Sequence, residues 1–316
     1  MKIAREGKKK KGEREMQKEG IGKSGLKASR IALGVKTSVD DVWAFASGEK
    51  EPDPRETLKV GVVLTAAAAG SETSTATVIT NEKLNLKRGA HHDANRPYFA
   101  IMNLEITYTV PKFQTACGVF DSIMHVMERY FTSSEDAEIS DRVAEGIMKS
   151  IIEAGYAVMK DLQNYEARAA LMWGASMAHN NLVGCGRLKG SGIHLIEEEL
   201  HSVNHQIVHG AGLAVVYPSW ARQVCGKKPD RLAQFAVRVW NEEMDFSHPE
   251  RTALRGIERM EGFIDYLGLP RTLHEIGVEE KDFAQVVEQC TGNGRNPSNL
   301  CKLTGDDIME ILRRAE

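Results

Sequence analysis

Long hydrophobic runs, closely paired cysteines and a secretory leader pattern are all missing from this chain of 316 residues. No apolar stretch approaches the roughly 20 residues of a membrane span, and the N-terminus lacks the apolar core of a signal peptide. The cysteines are scattered without CxxC spacing, at Cys117, Cys185, Cys225, Cys290 and Cys301. An odd, dispersed set in a chain of this size indicates reduced thiols. We therefore expect a cytoplasmic protein that has no membrane partner and no disulfide framework.

The charge is unevenly distributed, although the formal net charge is only -3. Residues 1–30 contain eleven Lys or Arg against four Glu, which leaves 30 basic and 40 acidic residues in the remainder. A segment of this composition is typical of solvated, disordered chain, and we interpret 1–30 in that way. No aromatic residue precedes Trp43, so the segment offers no stacking surface for single-stranded nucleic acid. The sequence therefore disfavours a nucleic-acid partner.

The hydrophobic pattern changes near residue 110. Before it, turn-forming residues separate short β-rich runs, at Val60–Leu64, Ala76–Thr80 and Tyr98–Met102. After it, apolar residues recur at three- and four-residue intervals, which is typical of helices. The predicted helices are Lys112–Phe131, Ala137–Lys160, Tyr165–Leu182, His194–Asn204, Ala214–Cys225, Arg231–Asn241, Pro249–Leu267, Glu279–Cys290 and Thr304–Ala315. We expect a partial α/β domain over residues 31–110 and an all-helical domain over residues 111–316.

Two pairs of residues suggest one metal site in the helical part. Asp121 and His125 are four residues apart, which places both side chains on one helix face about one turn apart. The second pair is His194 and His209. One carboxylate oxygen and three imidazole nitrogens suit a borderline divalent ion such as Fe2+, Zn2+ or Mn2+. Elsewhere, the run Glu197–Glu199 predicts a solvated helix face, and His179 is expected to pack in a helix without a chemical role.

Four motifs together point to a known family. They are Val39-Asp-Asp-Val-Trp-Ala-Phe45, the turn Thr65-Ala-Ala-Ala-Ala-Gly-Ser-Glu72, the helix segment Asp121-x3-His125-x2-Glu128-x-Tyr130, and His209-Gly-Ala-Gly-Leu-Ala214. From about Ile31 to its end the chain resembles the iron-containing alcohol dehydrogenases, especially their butanol dehydrogenase branch. Dehydroquinate synthase and glycerol dehydrogenase share the architecture, but the Asp-Val-Trp and His-Gly-Ala-Gly-Leu-Ala stretches favour the butanol dehydrogenase branch.

The resemblance implies a dehydroquinate synthase-like architecture, in which an α/β remnant of a dinucleotide-binding domain precedes an all-α metal-binding domain. It implies a metal-dependent alcohol dehydrogenase or aldehyde reductase that transfers a hydride between NAD(P)(H) and a primary alcohol or aldehyde. Fe2+ or Zn2+ would be held by Asp121, His125, His194 and His209. The implied cofactor contacts are Gly22, Ser24, Thr65, Gly70, Ser71 and Lys87. The family likeness also implies a homodimer.

Two departures from the family pattern leave alternatives open. The βαβ units with which family members begin are not recognisable ahead of Ile31, so we expect an N-terminally truncated relative. The alternative function is therefore a catalytically inactive relative that retains the divalent-metal-binding helical domain. In addition, 14 residues separate His194 from His209, one more than in the family, and Glu198 replaces a family histidine. The extra residue could bring His205 into the site, but we favour His209 because Gly-Ala-Gly-Leu-Ala follows it.

Overall fold

The computed structural model describes residues 19–21, 26–28, 42–51, 59–81, 84, 86–134, 136–188 and 192–316. Short strands dominate its first part. In chain order the elements are β1 (Glu19–Ile21), β2 (Leu26–Ala28), α1 (Val42–Ala46), β3 (Gly61–Val63), β4 (Ala76–Asn81), β5 (Leu86–His91) and β6 (Phe99–Ile101). The strand positions predicted around residues 60–64, 76–80 and 98–102 agree with β3, β4 and β6.

These strands pair two by two. β1 runs antiparallel to β2, and β4 runs antiparallel to β5, with Val78 opposite Gly89. β3 and β6 are parallel, with Val62 opposite Ala100, so the β4–β5 hairpin lies within the connection between them. β1 and β2 lie inside the segment 1–30, where we expected disordered chain. The rest of that segment, including the predicted cofactor contacts Gly22 and Ser24, lies outside the described residues.

Helices make up the second part, from residue 112 onwards. They are α2 (Lys112–Tyr130), α3 (Glu138–Lys160), α4 (Tyr165–His179), α5 (Ile193–Val203), α6 (His209–Cys225), α7 (Pro229–Trp240), α8 (Pro249–Leu267), α9 (Glu280–Thr291) and α10 (Gly305–Arg314). Their ends agree with the predicted helices within a few residues, except that α6 begins at His209 rather than at Ala214. Within the described ranges, no helix combines the length and apolar character that crossing a bilayer requires.

Helix α2 lies at the centre of this part. Fifteen of its 19 residues are buried, because apolar side chains occur on every side of it and α3, α4 and α6 pack around it. The apolar residues of α2 join one continuous core with those of the surrounding helices, which includes Phe120, Ile123 and Met127. A polar side chain on α2 is therefore held inside the protein rather than at its surface.

The α/β part packs on one end of this helical core. The hydroxyl of Ser122 in α2 donates to the carbonyl of Ala68, at 2.7 Å. Gly118, one turn earlier in α2, has no side chain where the carbonyl oxygen of Ala67 approaches. Strand β5 lies against α5 and forms ion pairs with it. The turn at residues 65–72 and strand β5 thus frame the buried polar residues described next.

Candidate metal centre

Three helices contribute polar side chains to one buried cluster. Asp121, His125 and Glu128 occupy positions i, i+4 and i+7 of α2 and therefore share one face of that helix. His194 is the second residue of α5, and His209 is the first residue of α6. Packing of α2 against α6, and of α5 against α6, brings the two histidines over this face. All four residues predicted as metal ligands are therefore found together.

One oxygen of the Asp121 carboxylate lies close to all three imidazole rings. Oδ1 of Asp121 lies 3.2 Å from Nε2 of His125, 3.5 Å from Nε2 of His194 and 3.6 Å from Nε2 of His209. The candidate ligand atoms of Asp121, His125 and His194 all lie within 4.8 Å of one another. The three imidazoles thus turn the same ring nitrogen towards a single point beside the carboxylate.

This arrangement fits a divalent metal ion. Ligand atoms that sit about 2.1 Å from a tetrahedral ion are about 3.4 Å apart, which is close to the three distances from Asp121. Among the described residues, the buried atoms Asp121 Oδ1, His125 Nε2 and His194 Nε2 have no hydrogen-bond partner. Buried polar atoms without partners destabilise a protein, so their convergence needs a reason. A bound cation would supply a partner for all of them.

His205 and His209 are the alternative candidates for the fourth metal ligand, and the structure separates them. His205 is exposed, and its ring contacts that of His201 at a centroid distance of 5.6 Å. Residues 204–208 connect the end of α5 at Val203 with the start of α6 at His209. The geometry therefore favours His209, although its role as a ligand stays a prediction.

Glu128 contacts the His194 ring on the side opposite Asp121. Nδ1 of His194 lies 3.0 Å from Oε2 of Glu128, while Oε1 accepts the backbone N–H groups of Gly192 and His194, both at 2.8 Å. Burial alone would raise the pKa of Glu128, but the charge of His194 lowers it. Burial would likewise lower the pKa of His194, but Glu128 and Asp121 raise it to about 10. Glu128 thus orients the imidazole and favours the ionised carboxylate behind it.

The acidic run in α5 is not the solvated surface that we expected. Glu197 and Glu199 are both 0% exposed, and only Glu198 is partly accessible. Nδ1–H of His209 donates to Oε2 of Glu197, and Nζ of Lys87 lies 3.5 Å from the same oxygen. Burial would raise the pKa of Glu197, but the charges of His209 and Lys87 lower it to about 2. The expected solvent exposure of this run was wrong. Apolar residues flank it on both sides, so nearly the whole of α5 is buried.

A row of stacked imidazoles runs through the cluster. The His125 ring stacks between those of His179 and His194, with centroid distances of 4.2 Å and 4.4 Å. Nδ1–H of His179 donates to the carbonyl of Ala69 at 2.6 Å. Burial lowers the pKa of His179 to about 4 and that of His125 well below its usual range, so both rings are neutral near pH 7. His179, which sequence analysis left without a role, thus connects the cluster to the turn at residues 65–72.

That turn contains three of the predicted cofactor contacts. Thr65 and Ser71 are exposed, whereas Gly70 is buried. Gly70 has φ +57, and a Cβ atom there would collide with the carbonyl oxygen of Ala175 in α4. Only glycine meets both requirements without strain, which explains its place in the motif. Lys87, the remaining described contact, is the residue that pairs with Glu197.

The backbone of the turn has a consistent orientation. The carbonyl groups of Ala67, Ala68 and Ala69 face the helices, towards Gly118, Ser122 and His179 respectively. Since a trans peptide holds its C=O and N–H in opposite directions, the N–H groups of the three following residues point away from the helices. Successive N–H groups that point the same way form a surface suited to anions such as phosphate.

Together these features define a class of protein. An α/β segment with an anion-suited turn packs over a buried carboxylate–imidazole cluster in a helical domain. This is the architecture of a two-part protein with a candidate metal centre beside a candidate dinucleotide site.

The family model for the C-terminal part of the Fe-containing alcohol dehydrogenase family matches residues 115–316, and that for iron-containing alcohol dehydrogenase matches residues 26–104. The chain is 32% identical over 283 residues to a probable NADH-dependent butanol dehydrogenase of Bacillus subtilis (strain 168), a match that covers 90% of this chain and 72% of the relative. It is 33% identical over 270 residues to an NADPH-dependent aldehyde reductase of Escherichia coli (strain K12), covering 85% and 68%.

A solved structure gives the same result. The crystal structure of an NADH-dependent butanol dehydrogenase from Thermotoga maritima superimposes with a TM-score of 0.83 at 31% identity, covering 91% of this chain and 73% of the other. This protein belongs to the iron-containing alcohol dehydrogenase family. The resemblance stated from the motifs and the predicted fold class are both confirmed.

Proposed function

We propose that this protein is a metal-dependent alcohol dehydrogenase or aldehyde reductase that exchanges a hydride between NAD(P)(H) and a primary alcohol or aldehyde. The observation that carries the proposal is the convergence of three imidazole Nε2 atoms on Oδ1 of Asp121, at 3.2, 3.5 and 3.6 Å. Relatives about one-third identical to the chain are named NADH-dependent butanol dehydrogenases and an NADPH-dependent aldehyde reductase. This supports the same reaction class here.

Asp121, His125, His194 and His209 would hold the metal, for which we propose Fe2+ or Zn2+ because the donor set combines one oxygen with three nitrogens. When bound, the ion and the dinucleotide would supply Lewis-acid polarisation of the substrate oxygen and the hydride, respectively. The donor set carries one negative charge, from Asp121, and so leaves a divalent site positively charged. Glu128 keeps His194 oriented towards that site.

For the dinucleotide we propose the turn at residues 65–72 as the phosphate-facing surface. Its N–H groups at Ala68, Ala69 and Gly70 point away from the helical core. Thr65 and Ser71 are exposed on either side and can donate hydroxyl hydrogen bonds. We retain Lys87, and also Gly22 and Ser24 beyond the described residues, as proposed contacts.

We also infer a homodimer in the cytoplasm. Large apolar side chains are exposed on and beside β3 and β6: Val63 at 55%, Tyr98 at 71%, Phe99 at 57% and Ile101 at 51%. A patch of this kind favours association with a second copy. The five cysteines are free, which supports a reducing compartment. Light scattering of the purified protein tests the dimer, since a mass of one chain at micromolar concentration would contradict it.

The function is tested by combining three measurements on the purified chain. We expect about one equivalent of Fe2+ or Zn2+, saturable binding of NADH or NADPH by fluorescence titration, and butyraldehyde-dependent oxidation of the reduced cofactor at 340 nm. Asp121→Asn serves as the matched control and should lose both metal and turnover. Metal without saturable dinucleotide binding would contradict the oxidoreductase and favour the inactive metal-binding relative.

A further inference from the structure

We propose that Glu197 is a positioning residue of the candidate metal centre, which fixes the His209 ring so that Nε2 faces Asp121. The inference rests on the proposed function in one respect, that the centre takes a divalent metal. It concerns a residue outside the four predicted ligands, and one that the sequence pattern assigned to the protein surface. Glu197 would act through His209 rather than by contact with substrate.

His209 needs such a fixed partner more than the other predicted ligands do. Its side chain is 34% exposed, compared with 9% for His125, 9% for His194 and 6% for Asp121. It is also the first residue of α6 and directly follows the segment 204–208 that connects α5 with α6. An imidazole at the end of a loop, with a third of its surface open, is weakly restrained by packing alone.

The Glu197 contact selects both ring orientation and tautomer. Oε2 of Glu197 accepts the Nδ1–H of His209, which leaves the lone pair on Nε2. Nε2 is the atom that lies 3.6 Å from Oδ1 of Asp121. A ring flipped by half a turn would lose the carboxylate contact and point a carbon atom towards the centre. Carboxylates behind ligating histidines generally act in this way.

Glu197 is itself held rigidly. Its side chain is 0% exposed, and Nζ of Lys87 balances its charge from strand β5 at 3.5 Å. Gly212 provides the space: a Cβ atom at that position would lie 2.8 Å from Cγ and 3.2 Å from Oε1 of Glu197. The second glycine of the His-Gly-Ala-Gly motif thus admits the carboxylate that orients the histidine of the same motif.

Burial of the Glu197 carboxylate lowers the stability of the folded state. Among the described residues, Oε1 of Glu197 is buried without a hydrogen-bond partner. An unpaired buried carboxylate oxygen destabilises the folded state, so its retention is better explained by the contact that the other oxygen makes.

A second buried acid of the same helix, Glu199, provides a matched control. Glu199 is also 0% exposed and also pairs with a cation of strand β5, since Arg88 Nη1 lies 3.3 Å from its Oε1. Its other cationic partner is Arg295. None of the described contacts of Glu199 involves a predicted ligand. A substitution there reproduces the loss of a buried carboxylate and of the link to β5 without disturbing His209.

The test uses Co2+ as a spectroscopic probe of the chain of 316 residues stripped of metal. Glu197→Gln keeps an acceptor oxygen but loses the charge, and Glu197→Met loses both at similar volume. We expect Co2+ affinity, measured by competition with a chelator, to fall about 10-fold in E197Q and up to about 100-fold in E197M. The visible d–d absorption should change in E197M, because the His209 nitrogen no longer reaches the ion reproducibly.

Circular dichroism establishes that each variant is folded. E199Q and E199M should bind Co2+ within about threefold of the parent protein, with the parent spectrum. Parent-like affinity and spectrum in E197M would overturn the proposal, as would an equal loss in E199M. If the parent protein itself fails to bind Co2+, the proposed metal function fails as well, which separates that failure from a failure of Glu197 alone.

Discussion

At the scale of single residues, His179 links the candidate metal centre to the candidate dinucleotide turn. Its ring stacks on His125, and its Nδ1–H donates to the carbonyl of Ala69. His179→Phe keeps an aromatic ring against His125 but removes the donor. We expect the variant to lose about 1–2 kcal/mol of stability and to bind the reduced dinucleotide, NADH or NADPH, several-fold more weakly, with metal affinity nearly unchanged. Chemical denaturation and a fluorescence titration measure the two effects.

His248→Phe is the control for this substitution, because His248 is exposed and pairs only locally, with Glu250 at 3.1 Å. It should change neither property. If H179F instead weakened metal binding as much as dinucleotide binding, the substitution would have disturbed the metal centre itself, and the selective role assigned to the Ala69 hydrogen bond would be wrong.

The sequence alone predicts the four candidate ligands, but it predicts only some of the residues that contact them. Asp121 and His125 are linked by local helical spacing, and Glu128 on the same face could have been found from its i+7 position. Glu197 could not, because its burial depends on packing of α5 against α6 and β5. His179 is 54 residues beyond His125 in the chain, and no local pattern relates the two.

At the scale of elements, the hydrophobic pattern predicts the amphipathic helices. It does not predict the start of α6 or strand β5. The start of α6 was missed because Gly210 and Gly212 have low helix propensity. Tertiary packing outweighs that preference, since a side chain at Gly210 would collide with the carbonyl of Cys117 in α2. Strand β5 was missed because Lys87, Arg88 and Gly89 are not typical strand residues, and its pairing with β4 imposes the conformation.

Helix α10 allows a pH-dependent prediction. Asp307 closes its capping box with Thr304, and its oxygens accept from Lys227 Nζ at 2.6 Å and Gln223 Nε2 at 2.7 Å. Burial alone would raise the pKa of Asp307, but the Lys227 hydrogen bond, with those from Thr304 and Gln223, lowers it well below its ordinary value of 3.8. Its stabilising contribution is therefore complete above about pH 4 and is lost as the pH falls further.

Asp307→Asn should accordingly cost about 1–2 kcal/mol in the free energy of unfolding at pH 7, measured by urea denaturation. The difference from the parent protein should shrink as the pH is lowered from 5 towards 3. Asp306→Asn is the matched control, because Asp306 is exposed in the same helical turn. A difference between D307N and the parent that stays constant down to pH 3 would show that the charge of Asp307 does not contribute.

At the scale of the whole molecule, the candidate centre joins elements that are distant in sequence. Its predicted ligands come from α2, α5 and α6, while Ala69 and Lys87 connect it to the α/β part. An ion bound there cross-links three helices of the native state and has no comparable site in the unfolded chain. Metal binding should therefore stabilise the folded protein as a unit.

The size of this effect can be predicted. A metal ion present at about 100 times its dissociation constant adds about 2.7 kcal/mol, which for a chain of this length corresponds to a rise in Tm of about 4 °C. Differential scanning calorimetry of the stripped protein with and without Zn2+ measures the shift, and a chelator should reverse it. Asp121→Asn should remain folded and show no shift, since its neutral amide replaces the carboxylate that the imidazoles surround and supplies no negative charge to a divalent ion. An equal shift in D121N would mean that the ion binds elsewhere among the ten histidines of the chain, and the cluster would then not be the metal site.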